Sequence, residues 1–338
     1  MTTETKQPGP PHPVGDVDED GLVRAILADP WDDVARSVYA DWLEEQGAPQ
    51  QAELLRLAPG DKGAREIVEA LSGPVLASVP EKDKASLHEV DGILVVTMVL
   101  RGFATKRFGR DGPDWLRRHH IARLRIVGQT KDWRRVGNAP VMGHLRGLGL
   151  YFPQFDDEGI EQLAGSEGLA SLASFGLIGA SLTPSRFAAL ARSPHLAGLC
   201  HLELNSVVLN PQSVGALAEG PMAPSLRHLA ATVESVDDAG VAVLAQSPGL
   251  ANLVTLNLMS FSLRLPAVQA LAGSPYLTRL RNLDLTGNLI GEEGVLALAR
   301  SPLAGRLRRL CLSRHDNWPE ALKALRAAMR PDAHLNQR

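Results

Sequence analysis

The segment LRNLDLTGNLIGEEGVLALARSP, Leu280 to Pro302, recurs along the chain at intervals of 27 residues without an insertion. One step back reads LVTLNLMSFSLRLPAVQALAGSP, and a second reads LRHLAATVESVDDAGVAVLAQSP. A fixed period of this length constrains the fold more than any other feature, because each unit holds only a strand and a short helix and must be stacked on its neighbours. With the first Leu of each unit as position 1, the register falls at Leu145, Leu172, Leu199, Leu226, Leu253, Leu280 and Leu307. Position 4 is Leu148, Phe175, Leu202, Leu229, Leu256, Leu283 and Leu310, and position 6 is apolar throughout. Residues two apart on a strand share a face, so positions 4 and 6 point into a core while positions 3, 5 and 7 point away from it.

The second half of each unit has helical spacing. Position 16 is Ile160, Phe187, Val214, Val241, Val268, Val295 or Leu322, and position 19 is Leu in every unit from Leu163 to Leu325. This i, i+3 pair forms the inner stripe of a short helix. Ser-Pro or Gly-Pro at positions 22 and 23, as at Ser193-Pro194, stops it. The strands then lie parallel at about 4.8 Å, and because helices are wider than strands the stack must curve, with strands inside and helices outside.

The pattern L-x-x-L-x-L-x-x-N-x-[LI] stands here as Leu280, Leu283, Leu285, Asn288 and Ile290. It resembles the leucine-rich repeats of the ribonuclease-inhibitor type over residues 145–330. The resemblance implies an α/β fold: a right-handed horseshoe solenoid with parallel strands on the concave face and helices on the convex face. One departure stands out. Position 9, usually Asn or Cys in that family, is Pro153, Ala180, Val207, Glu234, Phe261 and His315 in the other units. The ladder of side chains that ties turns together is therefore expected to be mostly absent, and the array looser.

Ahead of the array, IARLRI from Ile121 reads as a degenerate further strand, and GILVVTMVLRGF from Gly92 as another. Both belong to an expected N-terminal cap that shields the first open edge. Earlier still, EDGLVRAILADPWDDVARSVYADWLEEQGAPQQAELLRL reads as three short helices. Pro30 separates the first two, Asp32 or Asp33 caps the second, Gly47 ends it, and Pro49 opens the third. Val34, Val38 and Trp42, beside Ala35, Tyr39 and Leu43, are expected to form one broad apolar face, with Asp32, Asp33, Glu44 and Glu45 solvated. The pattern ILADPWDD-x-x-R-x-VYADWLEE-x-G resembles the bacterial repeat-companion domain, found ahead of repeat arrays, a family that implies no activity. The expected organisation is a disordered leader at 1–16, a helical module at 17–60, a linker and cap at 61–144, seven repeats at 145–330 and a tail at 331–338.

Charge is uneven. Net charge is −3 over 338 residues, but residues 1–60 carry −8, residues 101–135 carry +8 and residues 279–338 carry +5. Such asymmetry bears on partners and on docking within the chain. Cys200 and Cys311 have no metal-ligand spacing, and the first residues lack a basic start followed by an apolar run, so a cytoplasmic protein with reduced thiols is expected. No window of 18 apolar residues is present, which argues against a membrane span.

No GxSxG, HExxH or GxxxxGK[ST] occurs, and no enzyme activity or cofactor is expected. Three constellations remain. His201 and His228 share position 3 on neighbouring strands, with Glu203 at position 5, a donor set that zinc accepts; position 3 is solvent-facing in such repeats, and no metal is expected. Between Arg101 and Arg135, Phe103, Phe108, Trp115, His119, His120 and Trp133 alternate with arginines, a composition suited to phosphates and bases. The favoured alternative has Phe103, Trp115 and Leu116 filling the cap, with the arginines outside it or paired with the acidic module. The third is the concave row, where Tyr151, Phe152, Ile178, His201, Glu203, His228, Met259, Asn282, Asp284, Arg309 and Arg314 grade from apolar to polar and basic. Large apolar and Arg side chains on an otherwise solvated face point to binding of a protein partner. The expected function is thus a protein-binding scaffold, with nucleic-acid binding through Arg101–Arg135, or regulation of a GTPase as some arrays of this type perform, as alternatives.

Overall fold

The computed structural model describes residues 18–337 except 31, 59–60, 78, 80–84, 91, 101–105, 181, 208–209, 233–236, 260–262 and 315–317. The expected leader, and Arg101, Phe103, Glu234, Phe261 and His315, lie outside the described residues. The strands follow one another in sequence order from β1 to β11 in one sheet. The first pair, β1 (Ala85–Val90) and β2 (Ile93–Val99), is an antiparallel hairpin. Every later pairing is parallel, through β3 (Arg123–Val127), β4 (Gly147–Tyr151), β5 (Ser174–Ile178), β6 (His201–Asn205) and β7 (His228–Thr232). The series continues with β8 (Thr255–Asn257), β9 (Asn282–Asp284), β10 (Arg309–Leu312) and β11 (His334–Gln337). This is an α/β sheet of the kind a repeat solenoid builds.

The sequence register and the strand register coincide. Leu148, Phe175, Leu202, Leu229, Leu256, Leu283 and Leu310 pair in line across β4 to β10. All are buried, as are the position-19 leucines Leu163, Leu190, Leu217, Leu244, Leu271, Leu298 and Leu325. Each parallel crossover within the array carries a helix. These include α7 (Asp157–Ala164), α8 (Pro184–Ala191), α9 (Pro211–Glu219), α10 (Asp238–Ala245), α11 (Leu265–Ala272) and α12 (Gly291–Ala299). The helix α13 (Pro319–Ala328) leads into β11. The serine that ends a repeat helix has a second use: Ser193 Oγ donates to Ala164 O and Ser274 Oγ to Ala245 O, both at 2.5 Å and both across a repeat boundary. At the equivalent Gly220 a Cβ would collide with Ala191 O, so glycine replaces serine where the backbones come closest.

Two of the position-9 departures among the described residues are filled rather than left empty. Ala180 and Val207 are fully buried and close their turns with apolar packing. Asn288 does so with hydrogen bonds, its amide donating to Leu258 O at 2.8 Å and Leu285 O at 2.9 Å while Leu263 N donates to its Oδ1 at 3.1 Å. Asn288→Ala strands three buried backbone groups and should lower stability by about 2–3 kcal/mol, read as a shifted urea midpoint.

Three elements have no counterpart in the repeat pattern: the strand β1, the helix α4 (Ala64–Ala77) and β11, which occupies the expected tail. The cap also contains α5 (Lys106–Arg118) and α6 (Trp133–Gly137). Ahead of them lie the three expected helices, α1 (Glu19–Ala28), α2 (Asp33–Glu45) and α3 (Pro49–Arg56). Asp32 caps α2 by accepting from Val34 N and Ala35 N. The apolar face expected of α2 differs in one respect. Val34 is 73% and Val38 39% exposed, and the buried stripe is Arg36, Tyr39, Ala40 and Leu43. The reason is Arg36, which donates to Pro30 O and Leu57 O from the interior and so turns the valines outward.

Candidate functional site: the concave sheet and its docked helices

The helices α1 to α3 do not stand apart from the array. Leu22, Val23, Ile26 and Leu27 of α1 share a buried cluster with Tyr39 and Leu43 of α2 and with Ala122, Ala173 and Cys200. The last three immediately precede or lie one residue ahead of β3, β5 and β6, at position 2 of their repeats. Position 2 otherwise reads Arg146, Arg227, Val254, Arg281 and Arg308. Small side chains at 122, 173 and 200 leave a seat on the sheet rim for a helix carrying large apolar ones.

Polar contacts fix the docked helices in register. Asp20 of α1 pairs with Arg146, Arg24 donates to Ser171 O at 2.7 Å, and His228 Nε2 lies 2.5 Å from Ala28 O. The contacts advance along α1 as they advance along the strands. Eight residues of helix rise about 12 Å, close to the three strand spacings, about 14 Å, between β4 and β7. Glu19 accepts from Tyr39 Oη at 3.1 Å and lies 3.0 Å from His120 Nδ1, while Gln51 of α3 donates to His119 O at 2.9 Å. The Trp42 and His120 rings meet nearly perpendicular, with centres 5.3 Å apart.

The candidate concave residues therefore divide. The His201 and His228 rings stack with centres 5.5 Å apart, and His228 faces α1, whose Ala28 O it contacts. His228 is 6% exposed, and His201 Nδ1 is buried without a hydrogen-bond partner. Burial, with His228 and Arg123 alongside, pushes the His201 imidazole down to about 3. Among the described residues no three His, Cys, Asp or Glu side chains converge as a metal site.

That depression carries a sign. In the unfolded chain the imidazole takes a proton below about pH 6.5, and in the folded chain it does not until well below that. The contribution of a neutral His201 is present above the unfolded value and is lost as pH falls from about 6.5 toward 3, by at most about 1.4 kcal/mol per pH unit. His201→Gln should flatten the acid limb of the stability profile, measured by urea unfolding at a series of pH values.

Most of positions 5 and 7 are half-exposed, with Gly176, Cys311 and Ser313 buried. At the N-terminal end, Tyr151, Ile178 and Glu203 lie near Arg123 and Arg125 of β3. The Arg125 guanidinium sits 5.6 Å from the Tyr151 ring centre. Glycines make this possible: a Cβ at Gly147 would strike the Arg123 side chain, and one at Gly149 would crowd Tyr151 and Arg125. Arg123 and Arg125 share the register of positions 3 and 5, pairing with Gly147 and Gly149, and the shorter 24-residue offset of their strand hid them. Phe152 lies beyond β4 with φ of 53°, its ring covering Gly179 and 60% exposed.

At the C-terminal end Met259, Asn282, Asp284 and Arg309 are half-exposed and Arg314 is exposed. Asn282 Nδ2 donates to Thr255 Oγ1 at 3.1 Å, and Thr286 N donates to the Asp284 carboxylate at 2.9 Å, so both side chains are held in place. The basic segment is different in character. Phe108, Trp115, Leu116 and Trp133 are buried, and Trp133 Nε1 donates to Gln154 O. Arg107 and Arg110 pair with Asp111, and Arg117 with Asp114. These aromatics fill the cap and present no stacking platform to a base.

Cys200 and Cys311 are buried, and burial raises the Cys200 pKa to about 11. No described helix is long and apolar enough to cross a membrane.

No family model matches this chain, and no curated protein does. Solved structures similar to it include a protein from Bacteroides fragilis, at 17% identity over 64% of this chain and 67% of that one, with a TM-score of 0.42. The Rad7 and Elc1 complex from yeast is similar at 15% identity over 94% of this chain and 81% of that one, with a TM-score of 0.46.

Proposed function

We propose that this chain is a non-enzymatic scaffold that binds a protein partner on the concave face of a right-handed, ribonuclease-inhibitor-like leucine-rich-repeat solenoid. In this reading α1 to α3 form a module of the repeat-companion type that docks on the rim, and the protein works in the cytoplasm of a bacterium. The observation that carries it is the division of the concave row. The docked helices occupy positions 2 and 3 of the middle strands, and side chains of mixed chemistry remain half-exposed on either side of them. Tyr151, Ile178 and Glu203 with Arg125, beside the buried Arg123, form one patch, and Met259, Asn282, Asp284, Arg309 and Arg314 form the other. Arg and Tyr are the side chains that most often dominate protein interfaces, and here several are held by neighbours before any partner arrives, which reduces the entropy lost on binding. Capture from a lysate of the native organism onto immobilised protein, followed by mass spectrometry, tests the reading. A discrete protein retained at moderate salt supports it, whereas retention of nucleic acid alone, lost steeply as salt rises, contradicts it.

A further inference from the structure

Beyond the C-terminus of α1 the rim that seats this helix continues as an open cleft of about 450 Å³. Its floor is position 2 of the later repeats, Val254, Arg281 and Arg308, and Arg279, Arg309 and His334 rise around it. Asp29, which ends α1, is the one carboxylate in the lining. Arg279, Arg281 and Arg308 pair with no carboxylate among the described residues; the Arg281 guanidinium is held instead by the carbonyls of Thr278 and Leu280. Burial and then the positive charges of Arg308, Arg306 and Arg330 disfavour the charge on Arg281. Four arginines, Arg279, Arg281, Arg308 and Arg309, line the cleft with the single carboxylate of Asp29, and an excess of like charge opposes folding, so the cluster points to a reason outside stability.

The chain itself shows what this rim accepts. Arg146 occupies position 2 in the first repeat, and it is paired with the Asp20 carboxylate of α1. Arg281 and Arg308 are its equivalents five and six strands further, counted in register along the sheet β4 to β10. They lie on the line that α1 would follow if it were longer. We propose that this cleft binds an acidic segment of a protein partner, whose carboxylates meet Arg281 and Arg308 as Asp20 meets Arg146. Guanidinium forks match carboxylates in two-point geometry. The lining also fits a peptide better than a nucleic-acid strand: Val254 and Asn282 lie among the arginines, and among the described residues no Phe, Tyr or Trp lines the cleft to stack on a base.

The proposal rests on the protein-scaffold reading and narrows it to partner chemistry. The test titrates the full chain, by fluorescence anisotropy, with a labelled polyglutamate peptide, a labelled oligothymidylate and, as competitor, inorganic phosphate. Polyglutamate is expected to bind saturably. The double substitution Arg281→Glu, Arg308→Glu should weaken it by about tenfold or more, the scale of two charge-assisted contacts. The milder Arg281→Gln, Arg308→Gln should weaken it less, and Arg192→Glu with Arg300→Glu, exposed at helix ends elsewhere, should leave it unchanged. Unfolding midpoints report that each variant is folded. Absence of polyglutamate binding, equal binding by wild type and cleft variant, or tighter cleft-dependent binding of oligothymidylate or phosphate would each overturn the proposal. If the Glu variant still captures the same lysate protein as wild type, the acidic-segment inference fails while the scaffold reading stands. If polyglutamate binds at the cleft but no protein is ever captured, the scaffold reading fails instead.

Discussion

Arginine in place of Ala173 should release α1 to α3 from the sheet while the repeats stay folded. Ala173 is 1% exposed at the centre of the seat, against the large apolar side chains of α1. A guanidinium there has neither room nor a partner carboxylate, and the combination of overpacking with an unpaired buried charge costs about 3 kcal/mol or more. The docked state does not need to absorb that cost, because the helices can leave. Hydrogen exchange resolved by peptide should show the amides of residues 19–56 losing protection, with the repeat helices unchanged. His201 and His228 should become accessible to diethylpyrocarbonate at the same time. Unchanged protection of α1 would mean that the seat on the rim is wrongly placed.

Leu244→Ala is expected to have an effect of similar size and a different character. Leu244 is 1% exposed at position 19 of a central repeat, packed in the continuous core that runs from the cap to β11. Truncation of such a leucine costs about 2–5 kcal/mol, depending on how far the cavity collapses. In a stack held together by neighbour contacts the loss falls on the repeat and on both of its interfaces. Denaturant unfolding should therefore show a lowered midpoint and, if coupling breaks at this repeat, a reduced slope. An unchanged midpoint would contradict the placement of α10 against the sheet.

The repeats were legible in the sequence because their constraint is periodic. Position 1, 4, 6 and 19 side chains are buried for the same geometric reason in each unit, so seven copies report one rule. The elements that escaped are those that occur once. The strand β1 is a hairpin partner outside the period, β11 carries HLNQ in place of the repeat consensus, and α4 lies in a stretch read only as linker. The docking of α1 escaped for another reason: it joins residues about two hundred positions apart, as at Ala28 and His228. A signal was nonetheless present in the replacement of Arg at position 2 by Ala173 and Cys200. Val34 and Val38 misled because spacing identifies a helix but cannot choose between two overlapping faces. The buried Arg36, with carbonyls to satisfy, decided between them.

The concave candidates show the same division. Asn282, Asp284 and Arg309 were placed by register and do line one end of the sheet, whereas His228 shares that register and is covered. Strand alternation says which way a side chain points. It does not say what else in the chain arrives there first.

Partner affinity of the double variant Tyr151→Ala, Arg309→Ala, compared with Glu292→Ala, Arg300→Ala, tests the central claim most directly. The first pair lies on the sheet, one residue in each half-exposed patch, and the second lies on the exposed side of α12 and at its end. Calorimetry with the captured partner should show the concave pair weakening binding by at least about 2 kcal/mol, the scale of hot-spot truncation, with the unfolding midpoint nearly unchanged and the convex pair without effect. Loss of binding in the convex pair together with full affinity in the concave pair would contradict the account.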